Sequence, residues 1–423
     1  MILRKLALAA AALGLLAAMP AGAKQPGTWR EAFQSSPAAY EPFDPELAKN
    51  LIERFKLPPA VIEMMRPKPP VAGTLRTRFA VSAAGTQLRV RISNEAGSKA
   101  MTLAAASVGL ADEGLNARPG TLKVLTFGGA RSIVIPAGAP VLSDPVDLAV
   151  AAQAELVVST HIAEPVLFDP RGGGLQAIAQ GDQTLREALD GAQPLPGRPI
   201  VTGAEVLTRS APRVIVAFGD SITDGNRTSA GVLRSWPEQL ARRFADCRRC
   251  PPTAVVNAGI GGNRVLSSGW GPSALARFDR DVLRIEGLSH VVVLEGINDI
   301  GMSGKNPIFG DGPALSAGDL IAGYRQLIAR THARGAKLVM ATILPMGGAM
   351  SHYNAEKEAI RQAVNAWIRT SSEPDAVIDF DMAARDPADP VKMRAEVDSG
   401  DHLHPGDAGY KAMGDAIDFA IFR

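Results

Sequence analysis

The sequence predicts two unlike parts, an antiparallel β-sandwich-like part followed by an α/β part built on a parallel sheet. Short apolar runs with period-two alternation fill the first part, and continuous apolar runs alternate with helical patterns after Arg213. The chain has 423 residues, of which 46% are hydrophobic and 21% charged, as is typical of globular proteins. This length favours two domains over one.

The first 23 residues have the pattern of a secretory signal peptide. Arg4 and Lys5 precede an apolar run, and small residues end at Ala23, where we expect cleavage. The run is shorter than the roughly 20 residues that span a bilayer, and no cysteine follows Ala23 to carry a lipid. We therefore expect export to the periplasm or the cell exterior, without a stable membrane anchor.

Charge and cysteine content narrow the possible partners. Lysine and arginine number 45 against 43 acidic residues, with no dense basic stripe, so we expect no nucleic-acid partner. Cys247 and Cys250 form a CxxC pair after a predicted helix. In an exported protein a short disulfide is plausible there. Two thiols cannot complete a zinc site, and a redox motif would be expected at the start of a helix.

The first part of the chain divides into a proline-rich lead-in, 24–73, and a β-sandwich-like accessory domain, 74–210. The lead-in has one helical candidate, from Pro45 to Phe55. Alternation then begins, with Leu75 and Phe79 on one face and Arg76 and Arg78 on the other, which is typical of half-buried strands. Strands are predicted at 75–81, 88–92, 102–108, 123–127, 131–135 and 155–162.

The remaining segment, 211–423, alternates strands with helices. Continuous apolar strands of this kind are typical of a parallel sheet covered on both faces, whose functional site lies beyond the carboxyl ends of the strands. Strands are predicted at 214–218, 254–257, 290–294, 337–344 and 376–380, and helices at 236–245, 273–283, 317–333, 355–370 and 407–422.

Polar residues and glycines stand at these predicted strand ends. Ser221 lies in GDSIT after the first strand, Gly262 in NAGIGGN after the second, and Asn298 in GIND after the third. Asp401 and His404 lie in DHLHP, just before the last helix. Each motif alone is compatible with ordinary turn and capping chemistry, but their agreement in order and position favours a common site.

These motifs resemble the four blocks of the GDSL or SGNH hydrolase superfamily, from about Arg213 to the chain end. The resemblance implies a three-layer, flavodoxin-like SGNH domain with a five-stranded parallel sheet in the order 2-1-3-4-5. It also implies that Ser221 is the nucleophile and that Asp401 and His404 are its catalytic partners. The segment 271–283 is similar to an exported subgroup that includes carbohydrate esterases, and 89–94 and 127–144 resemble the β-rich domain of that subgroup.

The chemistry fits these residue types. A serine hydroxyl needs a base, His404, to take its proton, and Asp401 would orient the imidazole. The backbone N–H groups of Ser221 and Gly262 and the side-chain amide of Asn298 would form the oxyanion hole. Thr223 stands where the second glycine of the GxSxG elbow belongs, which argues against an α/β-hydrolase.

The roles of several residues near the motifs can be interpreted in two ways. Asp220, Asn263, Arg264 and Trp270 are candidate substrate-binding residues. The alternative for Asp220 is a solvated cap at its turn, and Trp270 could equally be a packing residue. His402 and His404 form an HxH pair, but the remaining histidines lack the spacing of metal ligands, so we expect no metal and no cofactor.

We therefore expect an exported serine esterase that hydrolyses carboxylic esters through an acyl-enzyme. The expected substrate is a small-molecule or polysaccharide ester, with O-acetyl or other short acyl groups favoured by the subgroup resemblance. One alternative is a broad arylesterase or lysophospholipase. The other is a catalytically inactive glycan-binding protein, against which the presence of Ser221, Asn298 and His404 argues.

Overall fold

The structure is a computed structural model. It describes residues 27–39, 45–55, 62, 68–167, 169, 171–172, 174–229, 233–306, 308 and 310–423. The expected signal peptide, 1–23, lies outside these ranges. Within them, no helix combines the length and the apolar character that crossing a membrane requires.

The first part of the described chain consists of two antiparallel sheets and one helix, α1 (Pro45–Phe55). One sheet has the strand order β1-β11-β3-β7, and the other β10-β9-β2-β8-β4-β5, with β6 paired to β4. The strands are β1 (Thr28–Gln34), β2 (Val71–Ala80), β3 (Gln87–Ser93), β4 (Met101–Leu110), β5 (Lys123–Val124), β6 (Ile133–Ile135), β7 (Pro140–Leu142), β8 (Glu155–Val166), β9 (Leu175–Ala179), β10 (Gln193–Pro194) and β11 (Val201–Thr208).

The two sheets share an apolar core, as the alternation predicts. The rings of Phe33 on β1 and Phe79 on β2 stack across the sheets with centroids 4.0 Å apart. Contrary to what the alternation indicates, the strand is not half-buried at Arg76, because this side chain is fully buried on the opposite face. Its guanidinium donates to Ser159 Oγ at 2.7 Å and to the Glu187 carbonyl at 2.8 Å, so a loop covers that face of the sheet.

Strand β1 lies inside the segment that the sequence predicts as a lead-in with one helix. It pairs antiparallel with β11. One buried position of this strand holds a charged residue, Glu31. Its carboxylate binds the Arg91 guanidinium, with Nη1 2.8 Å from Oε1 and Nη2 2.9 Å from Oε2. A charged residue at a buried position interrupts the apolar alternation, so the sequence pattern did not predict a strand at 28–34.

The second part is an α/β domain with one parallel sheet, in the order β13-β12-β14-β15-β16. Its strands are β12 (Arg213–Gly219), β13 (Thr253–Gly259), β14 (Leu288–Leu294), β15 (Lys337–Ala341) and β16 (Ala376–Ile378). Its helices are α2 (Ser221–Asp224), α3 (Trp236–Asp246), α4 (Ala274–Phe278), α5 (Ile297–Gly301), α6 (Ala317–Ala333), α7 (Ala355–Thr370), α8 (Phe380–Ala384) and α9 (Asp407–Ala416), with a π turn at Asp279–Leu283 after α4 and a 3-10 helix at Phe419–Phe422.

This architecture confirms the predicted fold class. Counted along the chain within the α/β part, the sheet has the order 2-1-3-4-5, and Val214 to Phe218 on its inner strand β12 are fully buried, as a sheet covered on both faces requires. The single helix predicted at 407–422 is divided in two, because the Asp418 side chain accepts the Ala420 N–H at 2.8 Å and starts the 3-10 helix. Cys247 and Cys250 are joined in a disulfide just after α3.

Candidate active site

Ser221 lies two residues after the end of the inner strand β12, at the first position of α2. The Asp220 side chain caps this helix, since its Oδ1 accepts the Ile222 N–H at 2.8 Å. Ser221 itself is only 5% exposed. The cap and the strand end together fix where the Ser221 hydroxyl points, which explains why a short polar turn follows a fully apolar strand.

Ser221 meets His404 from the far end of the chain. The Oγ of Ser221 is 2.8 Å from Nε2 of His404, and Nδ1 of the same ring is 2.8 Å from Oδ2 of Asp401. The other carboxylate oxygen of Asp401 accepts the backbone N–H groups of Leu403 at 3.0 Å and His404 at 2.8 Å. The three side chains therefore form one continuous hydrogen-bonded chain.

The carboxyl group of Asp401 is held in its charged form. Burial by itself would raise its pKa, but the hydrogen bond and the charge attraction of His404 outweigh burial and bring the pKa well below the usual range. Arg227 adds a further contact, with its Nε 3.0 Å from Oδ2 of Asp401. A charged Asp401 can accept the Nδ1–H of His404 and leave Nε2 free to accept the Ser221 proton.

The glycine loop follows β13 and carries Gly262. Its φ of +74° lies in the left-handed region that favours glycine. A Cβ at this position would come within 2.2 Å of Cε3 of Trp270, so the indole ring lies directly on the loop backbone. Asp299 holds the same loop from α5, because its carboxylate accepts the N–H groups of Val265 at 2.7 Å and Leu266 at 3.0 Å.

Asn298 lies on α5 directly after the third strand and is 3% exposed. Its Nδ2 donates to the carbonyl oxygen of Asn263 at 3.0 Å, and its Oδ1 is 3.1 Å from Nε2 of His352. The amide is thus attached to the glycine loop on one side and to a buried histidine on the other. One N–H of the amide is not used by these two contacts.

The comparison with family models agrees with this geometry. Residues 217–412 match the model of the GDSL-like lipase/acylhydrolase family. This part of the chain belongs to the GDSL/SGNH hydrolase superfamily. No curated protein matches the chain by sequence.

Solved structures of several esterases are similar to about half of this chain. An acetyl xylan esterase, AlAXEase, is 20% identical, with 48% of this chain and 96% of that chain covered and a TM-score of 0.37. A carbohydrate acetylesterase from Sinorhizobium meliloti is 13% identical, covering 48% and 95% with a TM-score of 0.37. An aryl esterase from M. smegmatis is 16% identical, again covering 48% and 95% with a TM-score of 0.37.

Two of the candidate substrate-binding residues, Asp220 and Asn263, make contacts within the SGNH part. Asp220 and Asn263 are each 1% exposed. Besides its capping bond, Asp220 has a pKa raised to about 7 by burial, and the Asn263 side chain binds the Pro272 carbonyl at 2.8 Å and Arg277 Nε at 2.8 Å. Both side chains are therefore engaged in contacts within the protein, and their role in substrate binding stays a prediction.

Arg264 and Trp270 are more accessible. The Arg264 guanidinium closes its own loop by donating to the Ser268 carbonyl at 2.5 Å. Trp270 is half-buried, with one ring edge against Gly262 and the guanidinium carbon of Arg171 5.5 Å from the ring centroid. Arg171 belongs to the β-rich part, so both parts of the chain meet at this tryptophan.

Arg277 is a residue that the sequence analysis missed. Its fully buried guanidinium donates to the Gly219 carbonyl at 2.9 Å, the Ala258 carbonyl at 2.7 Å and Asn263 Oδ1 at 2.8 Å. It therefore joins the ends of the first two parallel strands to the glycine loop. No local signal marks it, since an arginine on a short helix is usually solvated.

The two histidines of the HxH pair contact different residues. His402 Nδ1 lies 2.5 Å from Asp398 Oδ2, whereas His404 contacts Ser221 and Asp401. Among the residues that the structure describes, no three His, Cys, Asp or Glu side chains are grouped as metal ligands. His290 on β14 is buried, and its pKa is lowered to about 4, chiefly by burial.

Proposed function

We propose that this protein is a serine esterase in which Ser221 is the nucleophile, His404 the general base and Asp401 the residue that orients it. The observation that carries the proposal is the pair of 2.8 Å contacts, Ser221 Oγ to His404 Nε2 and His404 Nδ1 to Asp401 Oδ2. Membership of a lipase/acylhydrolase family supports ester bonds as the target.

The reaction would proceed in two balanced halves. His404 takes the Ser221 proton as Oγ attacks the ester carbonyl, and the tetrahedral intermediate collapses by breaking the bond to the alcohol oxygen. The proton on Nε2 passes to that oxygen, so the alcohol leaves neutral and the acyl group remains on Ser221. A water molecule, deprotonated by His404, then releases the carboxylic acid and restores the serine.

Three donors would stabilise the negative oxygen of each intermediate. They are the backbone N–H groups of Ser221 and Gly262 and the amide N–H of Asn298 that its two protein contacts leave unused. Removing one donor of this kind lowers kcat by about 10²- to 10³-fold in a comparable serine hydrolase. The conformations of Gly262 and Asn298 are both fixed by neighbouring residues, as a preorganised oxyanion hole requires.

For the substrate we propose short acyl esters on polysaccharide, with O-acetyl groups favoured. The resemblance of 271–283 to exported carbohydrate esterases supports this class. The Cys247–Cys250 disulfide supports the proposed export, because such bonds persist in oxidising compartments.

The nucleophile is tested with Ser221→Ala. We expect the turnover of p-nitrophenyl acetate to fall by about 10⁶-fold, as on removal of the nucleophile in another serine hydrolase. An organophosphorus fluoride should add its phosphoryl group to Ser221 in the wild type and to no serine in the variant, as read by peptide mass. Thermal unfolding of both proteins shows that the variant is folded. Retention of most of the activity would show that Ser221 is not the nucleophile.

The substrate is tested by measuring free acid released from acetylated xylan, acetylated pectin and a lysophospholipid. Acetate from either polysaccharide supports the proposal. Fatty acid from the lysophospholipid alone would identify the arylesterase or lysophospholipase alternative. Glycan binding without release of acid from any of the three, or from p-nitrophenyl acetate, would identify an inactive glycan-binding protein.

A further inference from the structure

His352 is a buried histidine close to the proposed site but outside its catalytic chain. It lies between β15 and α7 and is 4% exposed. Its ring occupies the space beside α5 that Gly301 leaves open, since a Cβ at Gly301 would come within 1.9 Å of His352 Cδ2. The ring is therefore packed directly against the helix that carries Asn298.

The hydrogen bonds of His352 select one tautomer. Nε2 lies 3.1 Å from Oδ1 of Asn298, and an amide oxygen only accepts, so Nε2 carries the proton. Nδ1, 2.6 Å from Ser351 Oγ, then accepts the Ser351 hydroxyl. Burial, followed by repulsion from His404 and Lys357, lowers the pKa of His352 to about 3, so the ring stays neutral in the range in which esterases work.

These contacts give the Asn298 amide a single favourable orientation. Its oxygen accepts from His352 and its nitrogen donates to the Asn263 carbonyl at 3.0 Å. A 180° flip would bring the amide oxygen against the Asn263 carbonyl, which pairs two acceptors in a site too buried for water to compensate. It would also turn the amide NH₂ towards Nε2 of His352, so the ring would have to move its proton to Nδ1 and donate to Ser351 Oγ.

We propose that His352 is a positioning residue that fixes the Asn298 amide with an N–H available to the oxyanion. The inference rests on the proposed function, because it assigns that N–H to the acyl intermediates. His352 touches no reacting atom and acts only through Asn298. Its removal therefore costs at most what removal of Asn298 costs, about 10²- to 10³-fold in kcat.

The test uses three variants of His352 with p-nitrophenyl acetate. His352→Phe keeps the ring but has no donor, and we expect kcat to fall at least tenfold with KM within about twofold, because the interaction is made in the transition state. His352→Gln places its amide nitrogen near the position of Nε2 and should restore most of kcat. His352→Asn reaches only the position of Nδ1, keeps a polar contact for Ser351, and should not restore kcat.

A double-mutant cycle with Asn298→Ala decides whether His352 acts through the amide. In the Asn298→Ala background, His352→Phe should change kcat by less than about twofold. Equal fold losses in both backgrounds, or a His352→Phe enzyme with wild-type kcat, would overturn the inference. If His352→Phe does not fold, the ratio of kcat between His352→Gln and His352→Asn replaces it, and equal values would overturn the inference.

The proposed function fails separately from this inference. If Ser221→Ala and Asn298→Ala both keep wild-type activity, the esterase site itself is wrong. If both lose activity while the His352 series is flat, only the positioning role is wrong.

Discussion

Replacing Gly262 by alanine tests whether the backbone N–H of the glycine loop takes part in catalysis. An alanine there meets two obstacles, a φ of +74° and a ring carbon of Trp270 at 2.2 Å from the new Cβ. The left-handed conformation costs an L-residue roughly 1–2 kcal/mol, which a folded protein tolerates. The steric overlap is more serious, because contacts under 3.0 Å do not persist and either the loop or the indole must move.

The expected loss follows from what such a movement removes. If the loop shifts, the Gly262 N–H leaves the proposed oxyanion hole, and one lost donor corresponds to about 2.7–4 kcal/mol in the barrier, or about 10²- to 10³-fold in kcat. In the double variant Gly262→Ala, Trp270→Ala the overlap is gone and only the left-handed strain remains. We therefore expect the double variant to recover at least about tenfold of the loss in kcat.

Gly261 supplies the matched control. A Cβ there would have as its nearest neighbour Nδ2 of Asn226 at 3.6 Å, an ordinary contact, and its φ is not positive. Gly261→Ala should keep kcat for p-nitrophenyl acetate within about threefold and unfold in urea at nearly the wild-type midpoint. If Gly262→Ala behaves like Gly261→Ala, the new methyl group does not displace the loop N–H, and the predicted loss in kcat is refuted.

Two further substitutions test the framework around Ser221. Asp401→Asn should lower kcat by about 10⁴-fold, as the corresponding change does in another Ser-His-Asp enzyme, and a loss below tenfold would count against the orienting role. The pKa of Asp401 is depressed in the folded state, so its charged form stabilises the fold above its ordinary pKa of about 4, and this stabilisation is lost as the pH falls towards the depressed value. The free energy of unfolding in urea should therefore differ most between the wild type and Asp401→Asn at neutral pH. Arg277→Met should lower the free energy of unfolding by about 3–5 kcal/mol, since it leaves Glu295 and Asp281 without the buried guanidinium, and a urea series showing less than about 1 kcal/mol would contradict its joining role.

The sequence predicted the α/β part well because its signals are local. Continuous apolar strands such as Val214 to Phe218 are buried on both faces and leave no ambiguity of period. The chemistry of a parallel sheet collects at its carboxyl edge, so strand-end residues such as Ser221 and Asn298 could be grouped before any coordinates existed. The contact between His404 and Ser221, 183 residues apart, was predicted from the family resemblance, since no local pattern pairs these two residues.

The parts that escaped prediction are buried polar residues. Arg76, Glu31 and Arg277 look solvated in sequence, yet each is satisfied by partners far away along the chain. His352 belongs to the same class, since its hydrogen-bond partner, Asn298, lies 54 positions earlier in the chain. Hydrophobic periodicity reports which face is apolar, and it carries no information about a polar side chain whose partners arrive only on folding.

The same kind of buried contact makes the β-rich part a structural component of the site. Arg198, 4% exposed, comes from the turn before β11 and donates to Asp224 Oδ2 at 2.9 Å, at the end of the helix that begins with Ser221. It also donates to the Gly259 carbonyl at 3.3 Å, where the glycine loop leaves β13. Because one guanidinium contacts both the helix of the proposed nucleophile and the loop of a proposed oxyanion donor, the spacing between them depends on the β-rich part. That part therefore supports the geometry of the candidate site whether or not it also binds glycan.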